Sequence, residues 1–408
     1  MEENKSSFLK FTERFFRLGG GFLVSEDNPY FVPTDMLEAQ SDQWADGFLS
    51  LAHYDYLGLM HHPDTKEAAK AAIDANGTGV GASRLVGGER LGHQAFEKDL
   101  ADFLRVGGVL TMISGYLTNV SVIGLIMHHK DLVIVDELAH NSIMVGAQGV
   151  KSDVVSYKHN DLDDLDRILA ERRADYSRVL ICTEGLFSMD GDITDLPKLL
   201  EIKERHDAWL LLDEAHSYGV LGATGRGLCE HFDVDPERID MCIGTLSKSF
   251  ASAGGFLAGN KKIVEWLRYG LAGFIYSVGL QPATVASSHE ALRIMRREPE
   301  RVVRLRRNSK MFLHKAKDAG LNTGTAIGEA VVPVMFDSPM ECVRVAKELM
   351  DQGIYAPPVI QIGIPKDLPR IRFFLSASHS EADIDRVINA LVQASGGSLG
   401  VRDRLSAE

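Results

Sequence analysis

Residues 209–216, WLLLDEAH, and residues 241–250, MCIGTLSKSF, share one pattern: an apolar run leads into polar and charged side chains. Similar apolar runs occur at Val109–Ile113, Leu132–Val135 and Val179–Cys182. Because these runs are continuous and do not alternate, they indicate strands buried on both faces, as in a parallel sheet covered by helices. Helical segments lie between them, so the pattern predicts a doubly wound α/β domain.

The hydrophobic pattern divides the chain into three parts. Apolar residues at helical spacing predict helices at 3–18, 64–76, 93–104, 117–128, 161–172 and 195–206. After about residue 281 the pattern predicts long helices at 282–296 and 299–318, strands at Val331–Phe336 and Arg370–Leu375, and helices at 340–352 and around 384–391. We therefore expect an N-terminal helix and arm (1–50), a large domain (51–281) and a smaller α+β domain (282–408).

The composition is that of an ordinary soluble globular protein, with 45% hydrophobic and 25% charged residues among 408. A formal net charge of −13 argues against a nucleic-acid-binding surface, which needs clustered Lys and Arg. The four cysteines form no CxxC pair, so we expect neither disulfides nor a metal site. The charged N-terminus lacks a signal-peptide core, and no apolar run approaches the roughly 20 residues of a membrane span. These features predict a cytoplasmic protein.

Asp213 and His216 end the run WLLLDEAH, at the sheet edge where ligands of parallel sheets bind. A buried aspartate at this edge can keep a pyridine nitrogen protonated, and His216 can reach the same side. For Asp213 alone, a helix cap is an equal alternative. A DEAH-box ATPase is a second alternative, but its phosphate loop ends in Gly-Lys, and the chain contains no such dipeptide.

Lys248 lies in a hydroxyl-rich segment that follows another apolar run. Because no charged residue is close in sequence, we expect desolvation to lower the pKa of its ammonium group. The hydroxyls of Thr245 and Ser247 can donate to a phosphate. A lysine for a Schiff base, hydroxyls for a phosphate and Asp213 for a ring nitrogen together predict a pyridoxal 5'-phosphate (PLP) site.

Other strand ends supply further candidates for the same edge. Ser114, Gly115 and Tyr116 follow Val109–Ile113 and begin a helix, whose N-terminus can bind a phosphate. His140 follows a second strand end and can stack on a flat ring. Glu184 and Ser188 follow a third and are weaker candidates, while Asn119 is either structural or close to the site.

The stretch GTGVG at 77–81 superficially resembles a dinucleotide-binding loop. Such a loop must follow a strand, whereas this one follows a predicted helix. A nicotinamide-dependent oxidoreductase is therefore a poor alternative.

Nine segments in a fixed order resemble the α-oxoamine synthases, PLP enzymes of the fold-type I aminotransferase superfamily. They are HYDYLGL, GASRLVGG, SGYLTN, DELAHNSI, EGLFSMDGD, DEAHSYGVLGATGRG, GTLSKSFASAGG, FIYSVGLQP and RIRFFLSASHS, spread over about residues 51–391. Within the family the chain most resembles the soluble bacterial serine palmitoyltransferases, and it is also similar to the glycine acetyltransferases. The resemblance implies a large domain with a mostly parallel seven-stranded sheet and a smaller α+β domain.

The resemblance also implies roles for individual residues. Lys248 would be the Schiff-base lysine, Asp213 the partner of the pyridine nitrogen, and His140 and His216 the groups that stack on the ring and contact its phenolic oxygen. Ser114, Gly115, Tyr116, Thr245 and Ser247 would lie near the phosphate, with Ser277 of the other subunit of a homodimer. Arg372 would bind the substrate carboxylate, with Arg370 as its rival, and Tyr54 would line the entrance. Asp55, where the family commonly has asparagine, would also contact substrate.

The implied reaction joins a small L-amino acid to an acyl thioester and releases CO2 and a free thiol. Serine is the favoured amino acid, and alanine and glycine are alternatives. The acyl donor is either acyl-CoA or an acyl-carrier protein. An aminotransferase is the competing reaction within PLP chemistry.

Overall fold

The structure is a computed structural model that describes residues 6–15, 28–35, 46–360 and 368–395. Its strands are β1 (Leu49–Ser50), β2 (Gly108–Met112), β3 (Asp131–Asp136), β4 (Asp153–Tyr157), β5 (Arg178–Glu184), β6 (Trp209–Asp213), β7 (Met241–Thr245), β8 (Gly255–Gly259), β9 (Val331–Met335), β10 (Ile354–Tyr355), β11 (Pro358–Val359) and β12 (Arg370–Phe374). Seven of them form one sheet in the order β2-β8-β7-β6-β5-β3-β4. Strands β3 to β7 run parallel, and β8 is antiparallel to both of its neighbours. The predicted seven-stranded, mostly parallel sheet is confirmed.

Helices connect the strands of this sheet, and further helices lie in the N-terminal and C-terminal parts of the chain. They are α1 (Ser7–Phe15), α2 (Pro63–Asn76), α3 (Leu91–Leu104), α4 (Gly115–Ile126), α5 (Asn141–Gln148), α6 (Leu162–Arg172), α7 (Leu196–Arg205), α8 (Leu228–Phe232), α9 (Lys261–Arg268), α10 (Ala272–Ile275), α11 (Pro282–Arg297), α12 (Glu300–Asp318), α13 (Pro339–Asp351) and α14 (Glu381–Ala394). The predicted helices are confirmed with shifted ends. Of the predicted helix 3–18, residues 3–5 and 16–18 lie outside the described residues.

The core explains why the apolar runs are continuous. Alternate residues of β3 enter different apolar layers: Leu132 and Ile134 pack on one face of the sheet, and Val133 and Val135 on the other. All four side chains are fully buried. A strand with both faces buried needs no polar face, so its sequence is apolar throughout.

The sequence pattern did not predict two strands of the large sheet, β4 and β8. Strand β4 is the edge strand, half-buried and flanked by charged residues, so its apolar run is weak. Strand β8 begins and ends in glycine, which usually indicates a turn. Glycine is required at Gly255 because a Cβ there would lie 2.4 Å from the backbone nitrogen of Gly115.

A second sheet, in the order β11-β12-β9, is antiparallel, and α13 packs beside it. Strands β1 and β10 pair in parallel, so residues 49–50 join this part of the molecule. Helix α11, which begins at the predicted boundary of 281/282, packs mainly on α2. The division of the chain into domains stays a prediction.

The four cysteines are buried and free of disulfides. Within the described ranges, no helix is long and apolar enough to cross a membrane.

Candidate active site

A cavity of about 420 Å³ lies at the carboxyl ends of the parallel strands, and Tyr54 and Arg372 close it from the side of the second sheet. The predicted residues that line it are Tyr54, Ser114, Gly115, Tyr116, His140, Glu184, Ser188, Asp213, His216, Thr245, Ser247, Lys248 and Arg372. The structure thus brings together side chains that are more than 300 positions apart in the chain.

Asp213 ends β6 and is nearly buried. Its Oδ1 accepts a hydrogen bond from the backbone N–H of Ala215 at 2.9 Å, and its Oδ2 accepts one from Asn119 Nδ2 at 2.7 Å. Asn119 Nδ2 also donates to Ser142 Oγ at 2.9 Å. These bonds fix the carboxylate in the cavity and give Asn119, for which two interpretations stood open, a place beside the site.

Lys248 lies in the loop between β7 and β8, with its Nζ 5.6 Å from the centroid of the Tyr54 ring. Desolvation lowers the pKa of this amine to about 8, and the nearby positive charge of Arg372 acts in the same direction. The carboxylates of Asp213 and Glu184 oppose this decrease. Near neutral pH the amine is therefore far more often unprotonated than that of an exposed lysine.

A cradle for an anion lies at the N-terminus of α4. Ser114 caps this helix, since its Oγ accepts from the N–H of Leu117. Thr245 Oγ1 and Ser247 Oγ lie 2.8 Å apart, and a Cβ on Gly115 would lie 3.4 Å from that of Thr245. Free N–H groups, hydroxyls and small residues together suit a phosphate group.

His140 caps the N-terminus of α5, and its Nδ1 lies 2.8 Å from Ser142 Oγ. Its backbone N–H donates to Glu184 Oε1 at 2.6 Å. Burial lowers the pKa of His140, which keeps its ring uncharged at neutral pH. Burial, together with the charge of Asp213, raises the pKa of Glu184 well above its usual range.

His216 follows β6 and makes a buried hydrogen bond that the sequence analysis missed. Its Nδ1 lies 2.6 Å from the hydroxyl of Tyr56, a fully buried residue. Burial lowers the pKa of His216 well below its usual range, and the charges of Lys248 and Arg372 lower it further. The one signal in the sequence was that Tyr56 lies two residues after Tyr54, which was already a predicted site residue.

Arg370 and Arg372 both belong to β12, and the structure separates them clearly. Arg370 is fully buried, and its Nη1 donates to Asp190 Oδ1 at 2.6 Å and to the carbonyl of Met189 at 3.0 Å. Arg372 lines the cavity, donates from Nη1 to the carbonyl of Ser188 at 3.1 Å, and has a buried Nε without a partner. Arg372 is thus the arginine with a free donor at the cavity.

Two predicted residues do not line this chain's cavity. The carboxylate of Asp55 accepts from the backbone N–H groups of Leu59 at 2.7 Å and Met60 at 3.1 Å, which favours a structural role over the expected contact with substrate. Ser277 lies between Tyr276, 84% exposed, and Val278, 54% exposed. Ser277 does not line the cavity of its own chain, so its expected contact with the phosphate in the other subunit stays a prediction.

The cavity fits PLP on its own chemistry. A helix N-terminus with hydroxyls suits the phosphate, Asp213 suits the ring nitrogen, and Lys248 provides an amine for the aldehyde carbon. Two residues that line the cavity, Asn119 and Arg372, each have a buried polar atom, Oδ1 and Nε respectively, without a hydrogen-bond partner in the protein. Within the described residues, no group of three or more His, Cys, Asp or Glu side chains is arranged to hold a metal ion.

Known sequences resemble this chain over most of its length. The family model Aminotransferase class I and II matches residues 46–391. An 8-amino-7-oxononanoate synthase from Thermoanaerobacter pseudethanolicus is 38% identical over 342 residues, which cover 84% of this chain and 86% of that protein. The family match spans every residue that lines the cavity.

Known structures give the same result. The serine palmitoyltransferase of Sphingomonas wittichii superposes with a TM-score of 0.86 at 28% identity, covering 95% of this chain and 96% of that one. A structure of SPT with PLP internal aldimine superposes with a TM-score of 0.87, also at 28% identity, covering 96% of this chain and 99% of that chain. The similarity therefore includes both sheets and the cavity between them.

Proposed function

Because the chain belongs to the α-oxoamine synthases, PLP-dependent acyltransferases within the class I and II aminotransferase family, we propose that it joins a small L-amino acid to an acyl thioester. Carbon dioxide and a free thiol leave, and an aminoketone forms. The observation that carries the proposal is the pairing of Lys248, an amine with a pKa of about 8, with an arginine whose Nε is unpartnered in the same cavity.

Each of these residues has a task that follows from its chemistry. Arg372 binds the α-carboxylate, since a guanidinium matches a carboxylate with parallel hydrogen bonds. Lys248 would hold the cofactor through its neutral amine and, once the amine of the substrate has displaced it, would accept the proton of the α-carbon. Asp213 keeps the ring nitrogen protonated, and His216 donates a hydrogen bond to an oxygen of the cofactor or the thioester. PLP, when bound, supplies the sink for the electron pair left at the α-carbon.

For the amino acid we now place alanine before serine. The named product of the 38% identical relative, 8-amino-7-oxononanoate, carries its amine on the carbon next to a terminal methyl. A decarboxylating condensation leaves that two-carbon unit only from alanine. The serine preference expected from the sequence has its support in structural neighbours of 28% identity, which is the weaker similarity.

The test is direct competition. Equal alanine, serine and glycine are supplied with one acyl-CoA, and the products are resolved by mass while thiol release is followed. We expect alanine to give the main product. A serine-derived product in excess would restore serine as the substrate, and thiol release without any amino acid would contradict the reaction itself. Repeating the assay with the same acyl group on a carrier protein identifies the donor.

A homodimer with shared active sites accompanies this function. Its support is Ser277, which borders exposed apolar side chains and lies outside the cavity of its own chain. Lys248→Ala and Ser277→Asp are each expected to be inactive, because one lacks the amine and the other repels the phosphate. When the two variants exchange subunits, each heterodimer should have one active site. That site combines Lys248 from the Ser277→Asp subunit with Ser277 from the Lys248→Ala subunit. No recovery in a verified heterodimer would contradict a shared site.

An aminotransferase is the competing activity. Transamination needs no acyl thioester, whereas the proposed condensation does. Thiol release that requires both substrates supports the synthase, whereas keto-acid formation without thioester would support transamination.

The free, buried cysteines support a reducing compartment such as the cytoplasm.

A further inference from the structure

Tyr56 forms the closest polar contact to His216 in the structure. Its hydroxyl lies 2.6 Å from His216 Nδ1, and neither residue is exposed. The imidazole ring is held on other sides by Phe374, stacked at 6.4 Å between centroids, and by Tyr54, edge-on at 5.8 Å. In this orientation of His216, Nδ1 faces Tyr56.

The position of the shared proton follows from counting donors and acceptors. A neutral imidazole has one N–H and one bare nitrogen, so either Tyr56 donates to Nδ1 or Nδ1–H donates to the tyrosine oxygen. In the second case the buried hydroxyl proton would need another acceptor, and the contact with His216 is the one hydrogen bond that this hydroxyl makes among the described residues. An unpaired buried donor is costly, so the first arrangement is favoured.

Both groups remain uncharged at neutral pH. Burial lowers the pKa of His216, and the positive charges of Lys248 and Arg372 act in the same direction, as His140 would if it were protonated. Burial raises the pKa of Tyr56 well above its usual range, so the hydroxyl keeps its proton. Both shifts favour a neutral pair over an ion pair.

We propose that Tyr56 is a positioning residue that fixes His216 as the Nε2–H tautomer and so makes it a hydrogen-bond donor to the cavity. Nε2 has no partner among the described residues, and His216 lines the cavity that also holds Lys248. An acceptor oxygen there, on cofactor or substrate, would receive this N–H. Without Tyr56, the ring could present a bare nitrogen, which repels the same oxygen. The proposal rests on the proposed function for its consequence, but not for the tautomer.

The surrounding chain holds Tyr56 rigidly. Its carbonyl accepts from the N–H of Ala377, and the carbonyl of Asp55 accepts from Ser376 Oγ at 2.7 Å. Gly58, at φ +69°, brings the turn against Ser378. The segment that follows β12 therefore fixes the position of the tyrosine hydroxyl.

The test uses holoenzyme labelled with ¹⁵N-histidine and compares Tyr56→Phe with the control Tyr54→Phe. Two-bond ¹H–¹⁵N correlation spectra report which nitrogen of each imidazole is protonated, and His216→Gln assigns the signal. In wild type and in Tyr54→Phe we expect His216 protonated at Nε2. In Tyr56→Phe we expect the share of the Nδ1–H form to rise about two- to tenfold, the value of one hydrogen bond.

Two outcomes would overturn the proposal: Nδ1 protonated in wild type, or an unchanged signal in a folded Tyr56→Phe protein. Both are read without turnover, so they stand apart from any failure of the proposed reaction.

Kinetics add a second readout. Tyr56→Phe should lower kcat about two- to tenfold and leave both KM values nearly unchanged, because the donor serves the reacting oxygen and not the binding of either substrate.

Discussion

The two walls of the cavity differ in how their polar groups are paired. On the large-sheet wall, both oxygens of Asp213 accept hydrogen bonds from the protein, and the hydroxyls of Thr245 and Ser247 lie in contact. On the opposite wall, Arg372 makes one bond to the backbone, and its Nε has none. A carboxylate whose orientation the protein already fixes suits a permanent cofactor, whereas a guanidinium without a carboxylate partner suits a substrate that arrives and leaves.

The largest effect expected from this contrast is the loss of Lys248. Lys248→Ala should abolish turnover, because no other lysine lines the cavity in the described part of the chain. Borohydride should attach PLP to the peptide that contains Lys248 in wild type and should attach none in the variant. A label on another lysine would show that the large-sheet wall is not the cofactor wall.

Asp213→Asn tests the pairing on the same wall. The amide can still accept from the N–H of Ala215, so cofactor should bind, but it cannot hold a proton on the ring nitrogen as a carboxylate does. We expect exchange of the substrate α-proton with solvent to fall by at least about a hundredfold. Proton exchange at the wild-type rate would refute this role for Asp213.

The free donor on the opposite wall is tested by Arg372→Ala. Loss of charge-assisted hydrogen bonds should raise the amino-acid KM roughly ten- to a hundredfold, with a much smaller change in the thioester KM. Arg370→Ala is the matched control, because Arg370 is paired with Asp190 and should act through stability instead. If Arg370→Ala shows the KM effect and Arg372→Ala does not, the two roles must be exchanged.

Charged groups from both walls, Asp213 on one and Arg372 on the other, act on the amine of Lys248. Desolvation lowers the pKa of its amine to about 8, so the rate at which added PLP reacts with cofactor-free enzyme should be half-maximal near pH 8 and approach its plateau at higher pH. An ordinary lysine, with a pKa near 10.4, would give a rate that still rises beyond pH 9. Arg372→Ala removes a positive charge that lowers this pKa, so the curve should move to higher pH. A shift to lower pH would contradict the assigned interaction.

Much of the large-sheet wall could be predicted because strand ends leave a simple signal. An apolar run buried on both faces ends where polar residues begin, as at Asp213 and Lys248, and parallel strands bring these ends to one edge. Strands β4 and β8 gave no such signal, since one is a half-buried edge and the other is bounded by glycines.

The opposite wall could be predicted only in part, because it is built from tertiary contacts. Arg370 and Arg372 are two residues apart in one strand, and only the position of Asp190 decides which of them is neutralised. The contact between Tyr56 and His216 spans 160 positions and depends on a turn anchored after β12. The local pattern places Tyr56 close to the predicted site residue Tyr54, but it does not specify the partner of Tyr56 or of either arginine.

The smallest effect separates a structural residue from a substrate contact in the same segment. Asp55→Asn keeps one acceptor oxygen but loses the second, so one of the backbone N–H groups of Leu59 and Met60 loses its partner. We expect the free energy of unfolding to fall by about 0.5–2 kcal/mol, as for a lost helix cap, and both KM values to stay within about twofold. Thermal unfolding and steady-state kinetics measure the two quantities on one preparation. A tenfold change in either KM at unchanged stability would instead show that Asp55 contacts a substrate, since only a direct contact changes binding without changing the fold.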